Sequence, residues 1–201
     1  MATFVPAQLT KADGATVRDA LIAGHVSAVG EVPTYNRVGV AWSQVMLETG
    51  NGASMWNHNF GNIKCTPSYG GTCCTLPLDP SSSEPAAQRA YPSIVEGAAD
   101  YWRLLTGSRY AAALPLFDAG KPYEAGIMLG GLGWFTAPPH DYGATMSALF
   151  TKYVATWPHG KEEPPPASSW GEENKGLIVG AAILVGIGAV AWVLNRPEMR
   201  S

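Results

Sequence analysis

The sequence predicts a mainly helical α+β domain with a small β-hairpin lobe, followed by a proline-rich linker and one transmembrane helix. Three observations carry this reading. Through most of residues 1–157, apolar side chains recur every three or four positions, the period of helices that bury one face. Between residues 63 and 90 that period is lost, and Gly, Pro, Ser and Thr surround a short β-prone run, Thr72 to Leu76. Composition then changes abruptly at Pro158, and nineteen uncharged residues run from Gly176 to Leu194.

In a chain of 201 residues, 1–157 is long enough for one domain with its own core. The remainder divides into a Pro/Glu-rich linker over 158–175, the apolar span 176–194 and a short basic tail, 195–201. The domain carries nine Lys/Arg against eleven Asp/Glu with no basic run, so nucleic acid is not an expected partner. Met1 to Thr10 has neither a basic start nor an apolar core, and no secretory signal peptide is expected.

Thr16 to His25 reads as a short amphipathic helix with Val17, Ala20, Leu21 and Ile22 inward. Pro33 interrupts the following connection. The next helix contains Ala41-Trp-Ser-Gln-Val-Met-Leu-Glu-Thr-Gly-Asn-Gly52, with Val38, Trp42, Val45 and Met46 as its buried stripe. Gly50 and Gly52 end it, since glycine accepts the left-handed conformation of helix ends. Glu48 thereby falls in the last turn, beside unpaired carbonyls and the negative end of the helix dipole. A carboxylate there is poorly placed for stability and well placed for a raised pKa, as a proton donor needs.

Gly50 to Asn62 is a loop rich in Gly and Asn, in which Asn59 and Asn62 either fix the local backbone or contact a ligand. The hairpin lobe contains all three cysteines. Cys65 pairs with Cys73 or Cys74 in an oxidising compartment, or all three are small core thiols; the spacing does not suit a metal, and no cofactor is expected. Val95 to Leu105 is the next helix, with Ala98, Tyr101, Trp102 and Leu105 inward and Pro92-Ser93 as its start signal. Short helices follow at Tyr110 to Phe117 and Tyr123 to Leu129. Met146, Leu149, Phe150 and Tyr153 mark a last one, running to about Trp157.

Three stretches in this order resemble the glucosaminidase domains of glycoside hydrolase family seventy-three, which include flagellar peptidoglycan hydrolases and autolysins. The first is Glu48-Thr-Gly-Asn-Gly52 with Asn59-Phe-Gly-Asn-Ile-Lys64. The second runs from Gln88-Arg-Ala-Tyr-Pro-Ser93 through Leu105 to Arg109-Tyr110. The third is Leu132-Gly-Trp-Phe-Thr-Ala-Pro-Pro-His-Asp-Tyr142. Together they span about residues 15–157. The resemblance implies a lysozyme-like fold, with a glycan groove between a helical body and the hairpin lobe. It also implies hydrolysis of the β-1,4 bond after N-acetylglucosamine in peptidoglycan, with Glu48 protonating the leaving oxygen.

A second carboxylate should come from the hairpin lobe, where the chain offers Asp79 and Glu84. The third motif departs from the family pattern: Trp134 replaces a tyrosine, Ala137-Pro138 replaces the usual Asp, and two extra residues precede Tyr142. Tyr142 matches and is expected to orient a sugar or water near Glu48. Trp56, Phe60 and Trp134 are candidate platforms for sugar rings. Asn59, Asn62 and Tyr91 complete the candidate substrate contacts. Without a second acid, a lytic route closing an anhydro ring is the alternative chemistry; a decayed glycan-binding or structural membrane protein is the alternative class.

At about 1.5 Å per residue, Gly176 to Leu194 nearly crosses a ~30 Å hydrocarbon layer, and a lipid bilayer is an expected partner. Gly176 and Gly180 would let two such helices approach, so a homo-oligomer or contact with virion membrane proteins is a further expectation. Arg196 and Arg200 follow the span, and the basic side tends to stay cytoplasmic. Such a protein faces the wall from a bacterial cell membrane or from the membrane of a phage virion.

Overall fold

The computed structural model describes residues 2–76 and 86–157. The predicted linker, the apolar span 176–194, and both Asp79 and Glu84 lie outside these residues. Among the described residues no helix is long and apolar enough to cross a membrane.

The chain begins with strand β1 (Thr3–Val5), continues through helices α1 (Gly14–Val29) and α2 (Tyr35–Glu48), and enters the small lobe, strands β2 (Thr72–Thr75) and β3 (Ala87–Arg89). Helices α3 (Ile94–Thr106), α4 (Leu114–Asp118), α5 (Pro122–Gly131) and α6 (Pro139–Tyr153) follow, with single 3₁₀ turns at Ala111–Ala113 and Val154–Thr156. Polar side chains start the first three helices. Asp13, Thr34 and Ser93 each accept a hydrogen bond from the backbone N–H three residues on, which satisfies one of the donors a helix start leaves unpaired.

Helix α2 is the centre of the body. The expected stripe is buried, but so is every residue from Val38 to Met46. The small residues Gly39, Ala41 and Ser43 explain the difference, because they let neighbours close on the remaining faces. A Cβ on Gly39 would stand 2.5 Å from Val154 Cγ1. Helix α1 lies against α3 with similar intimacy: a Cβ on Gly24 would meet Ala98 at 2.6 Å, and Trp102 Nε1 donates to Leu21 O at 2.8 Å. Leu21, Trp102, Leu105, Phe117 and Leu129 are all fully buried in the resulting core.

The lobe differs from a simple hairpin. Strand β2 pairs antiparallel with β3, Cys73 opposite Arg89, and parallel with β1, Phe4 opposite Cys73. The N-terminal segment, for which no strand was expected, supplies this third strand and then runs beside the loop after α2. There Thr10 N donates to Met55 O at 2.7 Å and Asn57 N to Gln8 O at 2.8 Å. Cys65 is bonded to Cys73, and Cys74 is a buried free thiol. Adjacent strand residues point to opposite faces, so only one of the two lobe cysteines can meet Cys65.

Candidate active site

Glu48 is the last residue of α2. The chain turns away at once through Gly50, Asn51 and Gly52, all with positive φ (55°, 57° and 77°). Thr49 secures the turn: buried, its hydroxyl donates to Val45 O at 2.7 Å and accepts from Gly52 N at 3.0 Å. A Cβ on Gly52 would lie 1.9 Å from Ala12 O, so no larger residue fits beside the N-terminal segment.

The loop then brings Asn62 back to Glu48. Asn62 Nδ2 donates to Glu48 O at 2.7 Å and to Glu48 Oε2 at 3.1 Å. Asn59 holds that turn in shape. Its Oδ1 accepts from Ile63 N at 2.8 Å, and its Nδ2 donates to Ile63 O and Arg89 O, each at 3.0 Å. The two asparagines, alike in sequence, therefore divide the work: one builds the turn and the other reaches the carboxyl. On the opposite side Tyr142, in the first turn of α6, donates its hydroxyl to Glu48 Oε1 at 2.6 Å. Phe135 stacks on the Tyr142 ring with centroids 3.6 Å apart.

Each Glu48 oxygen thus accepts from one neutral side-chain donor. Burial pushes the carboxyl above the usual glutamate range, while the Tyr142 and Asn62 hydrogen bonds pull it back down. The net direction is upward, so Glu48 keeps its proton to a higher pH than a solvated glutamate. Tyr142 is driven far up in turn, first by burial and then by the Glu48 charge, and stays a phenol.

Several residues considered as sugar contacts have other roles. Phe60 is wholly buried in the core, so its ring is not a sugar platform. Asn59 is wholly buried with its amide engaged by backbone, so it is not a ligand contact. Tyr91 donates to Asp100 at 2.6 Å, and Arg89 Nη1 donates to the same oxygen at 2.7 Å; this pairing ties β3 to α3 and commits the Tyr91 hydroxyl. Trp134 is half-buried, edge-on to Tyr101 and Tyr110 with centroids at 5.8 and 4.8 Å. Trp56 is half-buried and bridges to Leu9.

Two residues near the carboxyl were not expected at the site from sequence, where Tyr101 read only as a core residue. Gln44, one turn before Glu48 on α2, is fully buried and accepts the Tyr101 hydroxyl at 2.7 Å. Tyr101 itself feels the Glu48 charge, second to its own burial. The available signal was a lone amide inside the apolar stripe of Trp42, Val45 and Met46. No cluster of His, Cys, Asp or Glu able to hold a metal occurs among the described residues.

No protein-family model matches the chain, and no curated protein does. Solved structures do. A peptidoglycan hydrolase from Sphingomonas sp. A1 is similar with a TM-score of 0.53 and 20% identity, over 85% of this chain and 97% of that one. The glycoside hydrolase domain of Salmonella typhimurium FlgJ is similar with a TM-score of 0.50 and 19% identity, over 83% of this chain and 98% of that one. At that identity the likeness establishes the fold: this chain has the mainly helical α+β architecture of those domains.

Proposed function

We propose that the chain is a peptidoglycan hydrolase of the N-acetylglucosaminidase type, with Glu48 as its proton donor. The observation that carries the reading is a carboxyl at the end of the central helix, its pKa pushed upward by burial and its oxygens gripped by Tyr142 and Asn62. The shared fold with domains described as peptidoglycan and glycoside hydrolases supports the substrate class. With Tyr142 donating to Oε1, that oxygen acts as the carbonyl, and the acidic proton belongs on Oε2. From there it passes to the glycosidic oxygen as the bond to the anomeric carbon breaks and positive charge builds on the sugar. The Tyr142 and Asn62 donors then stabilise the carboxylate left behind.

The partner that activates water, or stabilises the sugar cation, is assigned to Asp79 or Glu84. No carboxylate among the described residues perturbs Glu48. The second reading, in which neither Asp79 nor Glu84 serves, is a lytic reaction in which the sugar's own hydroxyl attacks. Residues 176–194 would tether the enzyme to a bilayer, in a bacterial cell or a phage virion, with 158–175 as spacer; their composition supports this. Mass spectrometry of muropeptides released from purified walls tests the reading. Glu48→Gln should lower release about 10²–10⁴-fold. Reducing ends indicate hydrolysis and anhydro ends the lytic route, whereas undiminished lysis by folded Glu48→Gln would remove Glu48 from the chemistry.

A further inference from the structure

We infer that Arg109 is a positioning residue: it clamps the turn between α5 and α6, and through Phe135 it braces Tyr142 against Glu48. The role rests on the proposed reading of Glu48 as the acid. After α5 the chain turns through Gly133, where φ is 78°. The N–H groups of this turn are taken by the end of α5: Leu132 N donates to Met128 O, Gly133 N to Gly130 O and Trp134 N to Leu129 O. Its carbonyls are taken by Arg109, which reaches across from just past the end of α3. Arg109 Nε donates to Leu132 O at 2.9 Å and Nη2 to Gly133 O at 3.3 Å. A Cβ on Gly133 would lie 2.6 Å from that Nη2, so the left-handed glycine also makes room for the guanidinium. The same group lies over the ring of buried Tyr110, 5.1 Å from its centroid. Two successive carbonyls suit an arginine, whose donors diverge in a fixed planar fork, better than a lysine's single ammonium.

Arg109 is exposed, and an exposed arginine is ordinarily a solvated surface charge. What sets this one apart is the pair of rings that follows the carbonyls it holds. Trp134 closes over Gly61, where a Cβ would stand 2.8 Å from the Trp134 Cζ2, and Gly61 precedes Asn62, the donor to Glu48 Oε2. Phe135 stacks on Tyr142, the donor to Glu48 Oε1. One ring therefore backs the loop that presents Asn62, and the other backs Tyr142 itself. A turn free to shift would carry both rings with it and loosen the grip on the carboxyl, although Arg109 touches neither Glu48 nor its donors. Exposed hydrogen bonds of this kind add little to stability, so losing them should show at the site before it shows in melting.

The test follows the Tyr142 ring protons by NMR in the tyrosine-labelled, detergent-solubilised full chain, assigned with Tyr142→Phe. Stacking on Phe135 displaces these resonances, and Phe135→Leu marks where they fall without the stack. Arg109→Ala, and Arg109→Lys with the charge but not the fork, should both move them towards the Phe135→Leu position while melting within about 2 °C of wild type. The double variant Arg109→Ala/Phe135→Leu should move them no further than Phe135→Leu alone, because the clamp acts through that ring. Unmoved resonances in either Arg109 variant overturn the inference, whatever the melting temperature, as does a further shift in the double variant. On purified walls, Arg109→Ala should lower saturating muropeptide release about 10–100-fold and leave the half-saturating wall concentration within about twofold, as expected for a misplaced catalytic group and not a lost substrate contact. Wild-type release by Arg109→Ala overturns the inference. The resonances need no turnover, so a wild-type chain that never cuts peptidoglycan would refute the proposed function and leave the clamp on Tyr142 standing.

Discussion

Among the described residues, the groups that hydrogen-bond the Glu48 carboxyl are a phenol and an amide, Tyr142 and Asn62, and neither carries a charge that could neutralise it. Its elevated pKa means that the folded state binds its proton more tightly than the unfolded chain does. The stabilisation linked to that proton is complete below the unfolded value, near 4.5, and is lost as pH rises through the folded value. Glu48→Gln, which carries no charge to bury, should therefore melt above wild type at pH 7 to 8, by about 2–4 °C, with the gap closing at pH 4. Calorimetry at the two pH values checks this; a gap of equal size at both would show that the carboxylate carries no burial penalty. Glu48, Asn62 and Tyr142 were legible because motif spacing marks them. Asn59 and Phe60 share a motif with Asn62, yet sequence proximity does not say which side chain faces the carboxyl and which faces the core. Gln44 and Tyr101 were not expected at the site because a helical stripe reports burial and not hydrogen-bond partners.

Helices α1, α2 and α4 meet at a half-buried polar junction. Arg37 pairs with Asp118 through two hydrogen bonds of 2.6 and 2.7 Å, and its Nη1 donates to His25 Nε2 at 3.2 Å. His25 Nδ1 in turn donates to Glu31 O at 2.8 Å. That tautomer is neutral, and burial is the first cause that holds the His25 pKa below its usual 6.5, with the Arg37 charge adding to it. His25 therefore contributes stability above about pH 6.5 that is lost as pH falls below it, where the unfolded chain takes the proton first. His25→Gln can make both hydrogen bonds without titrating. Its melting temperature should fall less steeply than wild type between about pH 6.5 and 5, and parallel curves would exclude His25 as the source. The helices themselves were legible from their stripes and caps. Strand β1 was not, because three residues with Phe4 exposed carry no period, and its pairing with β2 is set by a contact some seventy positions away.

The described residues belong to one compact unit whose two ends are fastened differently. In the lobe, the Cys65–Cys73 bond closes a separation of 8 residues, and Cys65 lies three positions beyond Asn62. Sequence left the pairing open, since face alternation is visible only once the strand is in place. Breaking the bond as Cys65→Ser/Cys73→Ser should cost about 2–3 kcal/mol by chain entropy, about 5–10 °C in a domain of this size. Thermal unfolding with and without reductant measures it, and reductant should not affect the double variant. At the other end, the 3₁₀ turn Val154–Thr156 and Trp157 complete the core and do not merely lead out of it. Val154 is fully buried against Gly39, and the Trp157 ring meets Trp42 and Tyr35 edge-on at 5.5 and 5.9 Å. Truncation after Trp157 keeps all of these contacts, so the shortened chain should fold and melt within a few degrees of the full-length protein. It should also leave the membrane fraction in a carbonate wash, because residues 176–194 are gone. Truncation after Tyr153 removes the buried Val154 and the Trp157 ring together and should cost several kcal/mol, enough to unfold a marginal domain. A chain ending at Trp157 that still sediments wholly with membranes would refute residues 176–194 as the tether. One ending at Tyr153 that melts like wild type would refute the last turn as part of the core.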